Sequence, residues 1–322
     1  MKNILVIHTG GTIAMSEDRN TGAVKPNLEN PLHETIMNIE GVQVDVEDFL
    51  NVPSPHITPS HMITLSKRIN YCLNDEDYDG VVVTHGTDTL EETAYFLDLT
   101  VRSNKPIVVT GAMRSSNELG SDGPHNLISS IHTAMSDSAL DKGVLVVLND
   151  EIHTAKNVTK THTSNIATFQ SPQYGPIGIV TKRGVLFHHS PSHRDQYNIE
   201  EVDHQVLLIK VVAGMENSIF EALCSIKVDG IVIEALGQGN LPPETIEPLV
   251  KLIDKGIPVV LVSRCFNGIV QDIYGYDGGG KQLKDLGVIF TNGLNGQKAR
   301  IKLMVALEQT HDPKKIQGFF QQ

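Results

Sequence analysis

The chain has 322 residues, which at roughly 150 residues per domain implies about two domains with cores large enough to need no disulfide or metal staple. Hydrophobic residues make up 40% and charged residues 20%, the composition of a globular protein. With 26 Lys and Arg against 38 Asp and Glu, the net charge of −12 argues against a dedicated nucleic-acid binder and against a surface built to sit on acidic lipids.

In chain order, Ile4–His8 is a run of aliphatic residues ending at Thr9-Gly10-Gly11, which predicts a buried strand. Met62, Ile63, Leu65, Ile69 and Leu73 have helical spacing, which predicts a helix over Pro59–Leu73 with Thr58 as N-cap. Gly80–Thr84 reads as a second strand, ending at His85-Gly86-Thr87, and Thr89–Val101 as a helix. A strand at Ile107–Thr110, a helix at Pro124–Met135 with proline in its first turn, and a strand at Gly143–Leu148 follow. The stretch from Pro172 to about Tyr197 breaks this rhythm and reads as hairpin and loop. Strands at Val206–Val212, Gly230–Glu234 and Val259–Val262 then alternate with helices at Ser218–Ile226, Pro243–Asp254 and Lys298–Gln309.

Strands apolar on both faces, alternating with helices, predict an α/β fold with parallel sheets covered on each side. The expected organisation is an N-terminal α/β domain over residues 1–190, a linker over 191–205 and a smaller C-terminal α/β domain over 206–322, with the boundary placed within 185–205. The longest apolar runs, such as 257–262, fall far short of the ~20 residues of a membrane span. No leader pattern follows Met1-Lys2, so a cytoplasmic protein is expected. Cys72, Cys224 and Cys265 are widely spaced and form no metal or redox motif, which suits a reducing compartment.

Two strands end in similar loops, Thr9-Gly10-Gly11-Thr12 and His85-Gly86-Thr87-Asp88. In open α/β sheets, ligands bind at that edge. Glycine allows close backbone approach, and a hydroxyl beside it projects into the space above the sheet. A threonine hydroxyl needs a neighbouring base or cation to become a nucleophile, and Asp88 and Lys160 are the candidates. The bland alternatives are a capping threonine, a solvated lysine and, for Ser54, a turn serine before proline. Other loop chemistries find no match. Gly10-Gly11-Thr12-Ile13-Ala14-Met15 lacks the third glycine of a dinucleotide loop. Gly278-Gly279-Gly280-Lys281 lacks the spacing of a phosphate loop, and no Gly-x-Ser-x-Gly elbow occurs. His188, His189 and His193 sit in the expected linker and read as solvated loop residues rather than metal ligands.

Taken together, the motifs resemble those of the bacterial-type L-asparaginases. Thr9-Gly10-Gly11-Thr12-Ile13-Ala14 is similar to the family's first signature and 83–90, with His85-Gly86-Thr87-Asp88 at its centre, to the second. Gly111-Ala112-Met113-Arg114, Asp122-Gly123-Pro124, Val158-Thr159-Lys160-Thr161 and Lys298-Ala299-Arg300 follow in family order, covering residues 3 to about 320. The resemblance implies a larger flavodoxin-like (Rossmann-like) N-terminal domain and a smaller C-terminal one, assembled as a homo-oligomeric dimer of dimers. It implies hydrolysis of L-asparagine to L-aspartate and ammonia with no metal or organic cofactor. Thr12 is then the nucleophile, and Thr87, Asp88 and Lys160 are the second catalytic cluster, Asp88 also holding the substrate ammonium. Ser54 and backbone groups around Gly11, Gly86 and Thr87 would bind the α-carboxylate, and those near Thr12 and Ala112 an oxyanion. Asn240 would approach the substrate of a neighbouring subunit.

Two departures from the family pattern carry expectations of their own. Secreted members have a tyrosine in the loop after Thr12, but 16–26 contains none. Tyr274 aligns with a tyrosine that mammalian-type members use instead, and is expected to approach Thr12; a purely structural tyrosine is the alternative. Pro55 stands where secreted members usually have glutamine, removing a side-chain amide and an N–H, so weak glutaminase activity is expected. The segment from Gly10 to about Pro26 is expected to act as a lid. A broader amidase and a catalytically idle amino-acid sensor are the rival functions; the presence of all four catalytic candidates counts against the sensor.

Overall fold

The computed structural model describes residues 1–320 apart from Leu28, Met37, Asn38 and Ser192 and the side chains of Glu34 and Ile36. The chain divides into two units, Met1–Gln196 and Tyr197–Gln322. No helix among the described residues is long and apolar enough to cross a membrane.

The first unit begins with β1 (Lys2–His8), a turn of 3-10 helix at Thr12–Ala14, and the short antiparallel pair β2 (Met15–Glu17) and β3 (Val24–Pro26). Then come α1 (His33–Ile36), β4 (Val42–Asp48), α2 (Pro59–Asn74), β5 (Gly80–Thr84) and α3 (Leu90–Thr100). After these come β6 (Ile107–Thr110), α4 (Gly123–Met135), β7 (Val144–Leu148), β8 (Glu151–Thr154), the small pair β9 (Thr159–Lys160) and β10 (Phe169–Gln170), and the hairpin β11 (Gly178–Thr181) and β12 (Gly184–Phe187). The main sheet runs β12-β11-β8-β7-β6-β5-β1-β4. From β4 to β7 every pairing is parallel, and from β7 to β12 every pairing is antiparallel.

Numbered along the chain, the five parallel strands have the order 2-1-3-4-5, the flavodoxin-like winding. The order reverses between β1 and β5, and in open α/β sheets the carboxyl ends of the strands at such a reversal are where ligands bind. Side chains alternate between the two faces. Leu5, Ile7, Val81, Val83, Val109 and Val146 pack under α2 and α3. Ile4, Val6, Val82, Val108 and Val147 pack against α4 and Leu32. Both faces are buried, which is why these strands read as unbroken apolar runs.

Local chemistry sets the helix starts. The Thr58 hydroxyl accepts from the His61 N–H while the His61 ring accepts from the Thr58 N–H, a reciprocal cap, with Pro59 in the first turn. Where the sequence suggests only a loop over 16–26, the structure has β2 and β3. Their hairpin is tied down by Ser116, which donates both its N–H and its hydroxyl to the Met15 carbonyl, and by Asn117, which bonds both ways with the Glu17 backbone. β4 is absent from the sequence reading because Val42, Val44 and Val46 alternate with polar residues on an exposed edge.

The second unit contains β13 (Val206–Lys210), α5 (Ser218–Leu223), β14 (Gly230–Ala235), α6 (Ile246–Asp254) and β15 (Val259–Ser263). It ends with α7 (Gly280–Asp285), β16 (Ile289–Phe290), α8 (Gly296–Leu307) and α9 (Pro313–Phe320). Its sheet is parallel throughout, in the order β13-β14-β15-β16. Phe220, Leu223, Leu249, Leu252 and Leu283 cover one face of it. Gly230 leaves room for the Leu303 side chain of α8, which a Cβ would meet at 2.8 Å.

Candidate active site

The two Gly-Thr loops leave β1 and β5 side by side at the reversal point. Thr9 ties them together: its N–H and its hydroxyl both donate to the Thr84 carbonyl, at 3.1 and 2.8 Å. Beyond it, Gly11 and Gly86 meet backbone to backbone. A Cβ on Gly11 would lie 2.2 Å from Gly86 Cα, and Gly11 has φ +84°, ψ 177°, a conformation open essentially to glycine alone. This contact sets the Thr12 turn against the Thr87 loop. Thr12 opens its 3-10 turn after Gly11, and no side-chain hydrogen bond caps that turn.

Lys160 reaches the second loop from β9. Its ammonium donates to Thr87 Oγ1 at 2.9 Å and pairs with Asp88 Oδ1 at 2.8 Å. The ammonium occupies a lone pair of the Thr87 oxygen and favours negative charge there, while Thr87 keeps its own proton to give. The Lys160 side chain is only 16% exposed, whereas that of Asp88 is 63% exposed. Asp88 thus retains open carboxylate surface for a ligand cation. Lys160 is itself positioned by Glu91, a buried carboxylate in the first turn of α3. Glu91 Oε1 accepts from the Lys160 N–H at 3.1 Å and from the Thr159 hydroxyl at 3.0 Å. Glu91 was missed in the sequence; its only signal is an acidic residue at a helix start, which has an ordinary reading in the helix dipole.

Ser54 begins a 3-10 turn with Pro55 as its second residue. It is buried against Gly86, and its Oγ accepts from the Asp88 N–H at 3.2 Å, leaving its proton for another acceptor. Thr89 donates its hydroxyl to the Ser54 carbonyl at 2.9 Å, pinning that turn to the head of α3. On the other side, Gly111 lies against the His85 carbonyl and the Thr87 methyl, and Ala112 is fully buried. Asp122 holds the bend after Ala112 by accepting from the N–H groups of Met113 and Arg114. Thr12, Thr87, Asp88, Gly11, Gly86, Ser54 and Ala112 are thus carried by neighbouring loops and turns at one end of the main sheet, and Lys160 reaches them from β9 of the same unit.

Two buried histidines brace the loops. His85 hydrogen-bonds the Gly86 carbonyl through Nδ1 at 2.8 Å, so Nδ1 carries the proton and Nε2 accepts from the Thr93 hydroxyl at 2.9 Å. Burial pushes its pKa down to about 4. His8 hydrogen-bonds Thr84 Oγ1 at 2.7 Å, and burial likewise lowers its pKa to about 4. Both are neutral at pH 7.

Asn240 and Tyr274 belong to the second unit, where they share one cluster. Asn240 Oδ1 accepts from the Gly280 N–H at 3.3 Å, and the Tyr274 carbonyl accepts from the Lys281 N–H at 3.0 Å. The run Gly278-Gly279-Gly280 permits this: a Cβ on Gly279 would lie 2.4 Å from the Tyr274 carbonyl oxygen. The Tyr274 ring is exposed and faces Tyr276 at 5.5 Å. The triglycine, which fits no phosphate loop, is there to pack this turn.

The arrangement offers a hydroxyl beside a glycine turn, a second hydroxyl on an ammonium, an open carboxylate and a serine proton. That set suits attack on a neutral amide belonging to a molecule with its own ammonium and carboxylate. Comparison with known proteins agrees. The family model "Asparaginase, N-terminal" matches residues 3–193, and "Glutaminase/Asparaginase C-terminal domain" matches residues 205–320. The chain is 37% identical to L-asparaginase 2 of Bacillus subtilis strain 168, over 99% of this chain and 86% of that one. It is 32% identical to the glutaminase-asparaginase of Acinetobacter glutaminasificans, over 99% and 98%. The crystal structure of a probable cytoplasmic L-asparaginase from Campylobacter jejuni superposes with a TM-score of 0.90 at 33% identity, covering all of both chains. With both halves matched in order and relatives aligned along its whole length, the chain belongs to the asparaginase family.

Proposed function

We propose that this protein is an L-asparaginase that hydrolyses L-asparagine to L-aspartate and ammonia through an ester on Thr12. The observation that carries this reading is the Lys160 ammonium held on both Thr87 and Asp88 beside the Gly11–Gly86 contact. Asp88 takes the substrate ammonium, while the Ser54 proton and loop N–H groups take the α-carboxylate. Thr12 Oγ attacks the side-chain amide carbon, and the oxyanion is held by backbone N–H groups near Thr12 and Ala112. The threonine proton passes to the amide nitrogen, the C–N bond breaks and ammonia leaves. Water, oriented on the Thr87–Lys160 pair, then attacks the ester; its oxygen joins the aspartate and its proton returns to Thr12.

Tyr274 supplies the phenol that the 16–26 segment lacks, reaching Thr12 in a homo-oligomer built as a dimer of dimers, with Asn240 beside it. The β2–β3 segment closes over bound substrate. The protein works in the cytoplasm. Pro55, which offers no amide side chain and no N–H, leaves glutamine with too little binding, so glutaminase activity is weak. A dual glutaminase-asparaginase is the second reading, favoured by the Acinetobacter relative.

Ammonia release from L-asparagine and L-glutamine tests these readings. Asparagine turnover is expected to collapse in both Thr12→Ala and Thr87→Ala, and to fall in Tyr274→Phe. Equal catalytic efficiency on the two amides would establish the second reading. Undiminished turnover in Thr12→Ala would end the acyl-enzyme mechanism.

A further inference from the structure

Behind the Thr12 turn lies a cavity of ≈ 170 Å³, bordered by Gly10 and Ala14 on either side of that turn and by His8, Asp48 and Asn27. His8 and Asp48 are the last residues of β1 and β4 and are register partners in that parallel pair, so their side chains leave the same face of the sheet. His33, at the head of α1, comes down over them, its ring 5.8 Å from that of His8. One ligand atom from each of His8, His33 and Asp48 lies within 4.8 Å of the other two.

Hydrogen bonding does not explain the cluster. His8 spends Nδ1 on Thr84, which leaves Nε2 buried, and no described residue hydrogen-bonds it. His33 Nε2 is likewise buried without a hydrogen-bond partner among the described residues. Asp48 Oδ2 lies 3.7 Å from it, too far for a hydrogen bond. Two ligands on a tetrahedral Zn²⁺ at 2.0–2.1 Å stand about 3.3 Å apart, so the three groups converge on a common ion with a small inward adjustment. The Thr84 hydroxyl on His8 Nδ1 does what a second-shell partner does for a metal-bound imidazole: it fixes the ring and aims the other nitrogen.

We propose that His8, His33 and Asp48 bind a divalent transition-metal ion, with Zn²⁺ the first to test. Two imidazoles and one carboxylate form a donor set for borderline metals and a poor one for Mg²⁺, and the cavity gives the remaining position to water. The ion fastens α1 to the ends of β1 and β4 and so steadies the turn that carries Thr12 from behind. It has no part in the amide chemistry.

The test is calorimetric titration of the chelator-treated full-length protein with Zn²⁺, alongside thermal melting at rising Zn²⁺. One Zn²⁺ per chain is expected, with a melting temperature that climbs with Zn²⁺ concentration and no response to Mg²⁺. His33→Gln and Asp48→Asn keep the buried His8 packing and should each weaken binding by on the order of 100-fold or more. Co²⁺ should show the visible band of a four-coordinate site in the wild type and lose it in both variants. Failure of the wild type to bind Zn²⁺ would overturn the proposal. So would binding of equal stoichiometry and affinity in both variants, which would place the ion on other surface histidines.

Discussion

Replacing Gly11 by alanine should separate the position of Thr12 from the stability of the fold. Two penalties are visible in the structure. The backbone at φ +84°, ψ 177° costs an alanine roughly 1–3 kcal/mol. The new methyl would also lie 2.2 Å from Gly86 Cα, whereas ordinary contact begins at 3.4 Å, so the two loops must part by about 1.2 Å. Thr12 is the next residue and Thr87 follows Gly86, so that separation falls between the two hydroxyl groups. A misplacement of about 1 Å in a reacting geometry costs on the order of 100-fold in rate. We expect Gly11→Ala to fold and to lose at least ~100-fold in kcat for asparagine. Gly41→Ala is the control: φ is +81°, but a Cβ there meets nothing within 4 Å. It should lose about 1 kcal/mol of stability and keep its turnover. The assay is kcat and KM by ammonia release, with denaturant unfolding of each variant. A folded Gly11→Ala enzyme within about threefold of wild-type kcat would refute the reasoning, since that difference is under 1 kcal/mol of barrier.

Glu91→Ala should remove the acceptor of the part-buried Lys160 N–H and of the Thr159 hydroxyl, costing about 2 kcal/mol of stability and lowering kcat more than it raises KM. Glu91→Gln, which keeps an acceptor oxygen, should recover most of that kcat; equal losses in the two variants would mean that Glu91 does not position Lys160. His85 makes the protein acid-sensitive. Its folded pKa of about 4 lies below the ordinary 6.5, so between those values the unfolded chain binds the extra proton and stability falls as pH drops. Between pH 7.5 and 5 the wild type should lose about 2 kcal/mol more unfolding free energy than His85→Gln. Matching pH profiles in the two would show that His85 takes up its proton without unfolding.

Much of the fold is legible in the residues because it is built from local signals. Buried parallel strands are short β-branched runs bounded by glycine, and β6 coincides with the predicted Ile107–Thr110. The Thr58-Pro59 start of α2 is written in two adjacent residues. β4 escaped because an edge strand half open to water carries a weak alternation, and β2 and β3 escaped because three-residue strands are held by Ser116 and Asn117 rather than by their own pattern.

For the site, the sequence alone placed a glycine turn with a neighbouring hydroxyl at the ends of two strands, since that pairing is a local requirement of backbone geometry. The tertiary structure decided their company. Lys160 meets Thr87 and Asp88 across 73 and 72 positions of chain, and Glu91 reaches back to Lys160 across 69. His8, His33 and Asp48 converge only because β4 lies beside β1 in parallel register. A triglycine that fits no phosphate loop becomes intelligible once the Tyr274 carbonyl is seen pressed against it. Such pairings depend on the order and register of strands far apart in the chain. Spacing along the sequence does not encode them, because loop closure places few limits on which distant segments become neighbours.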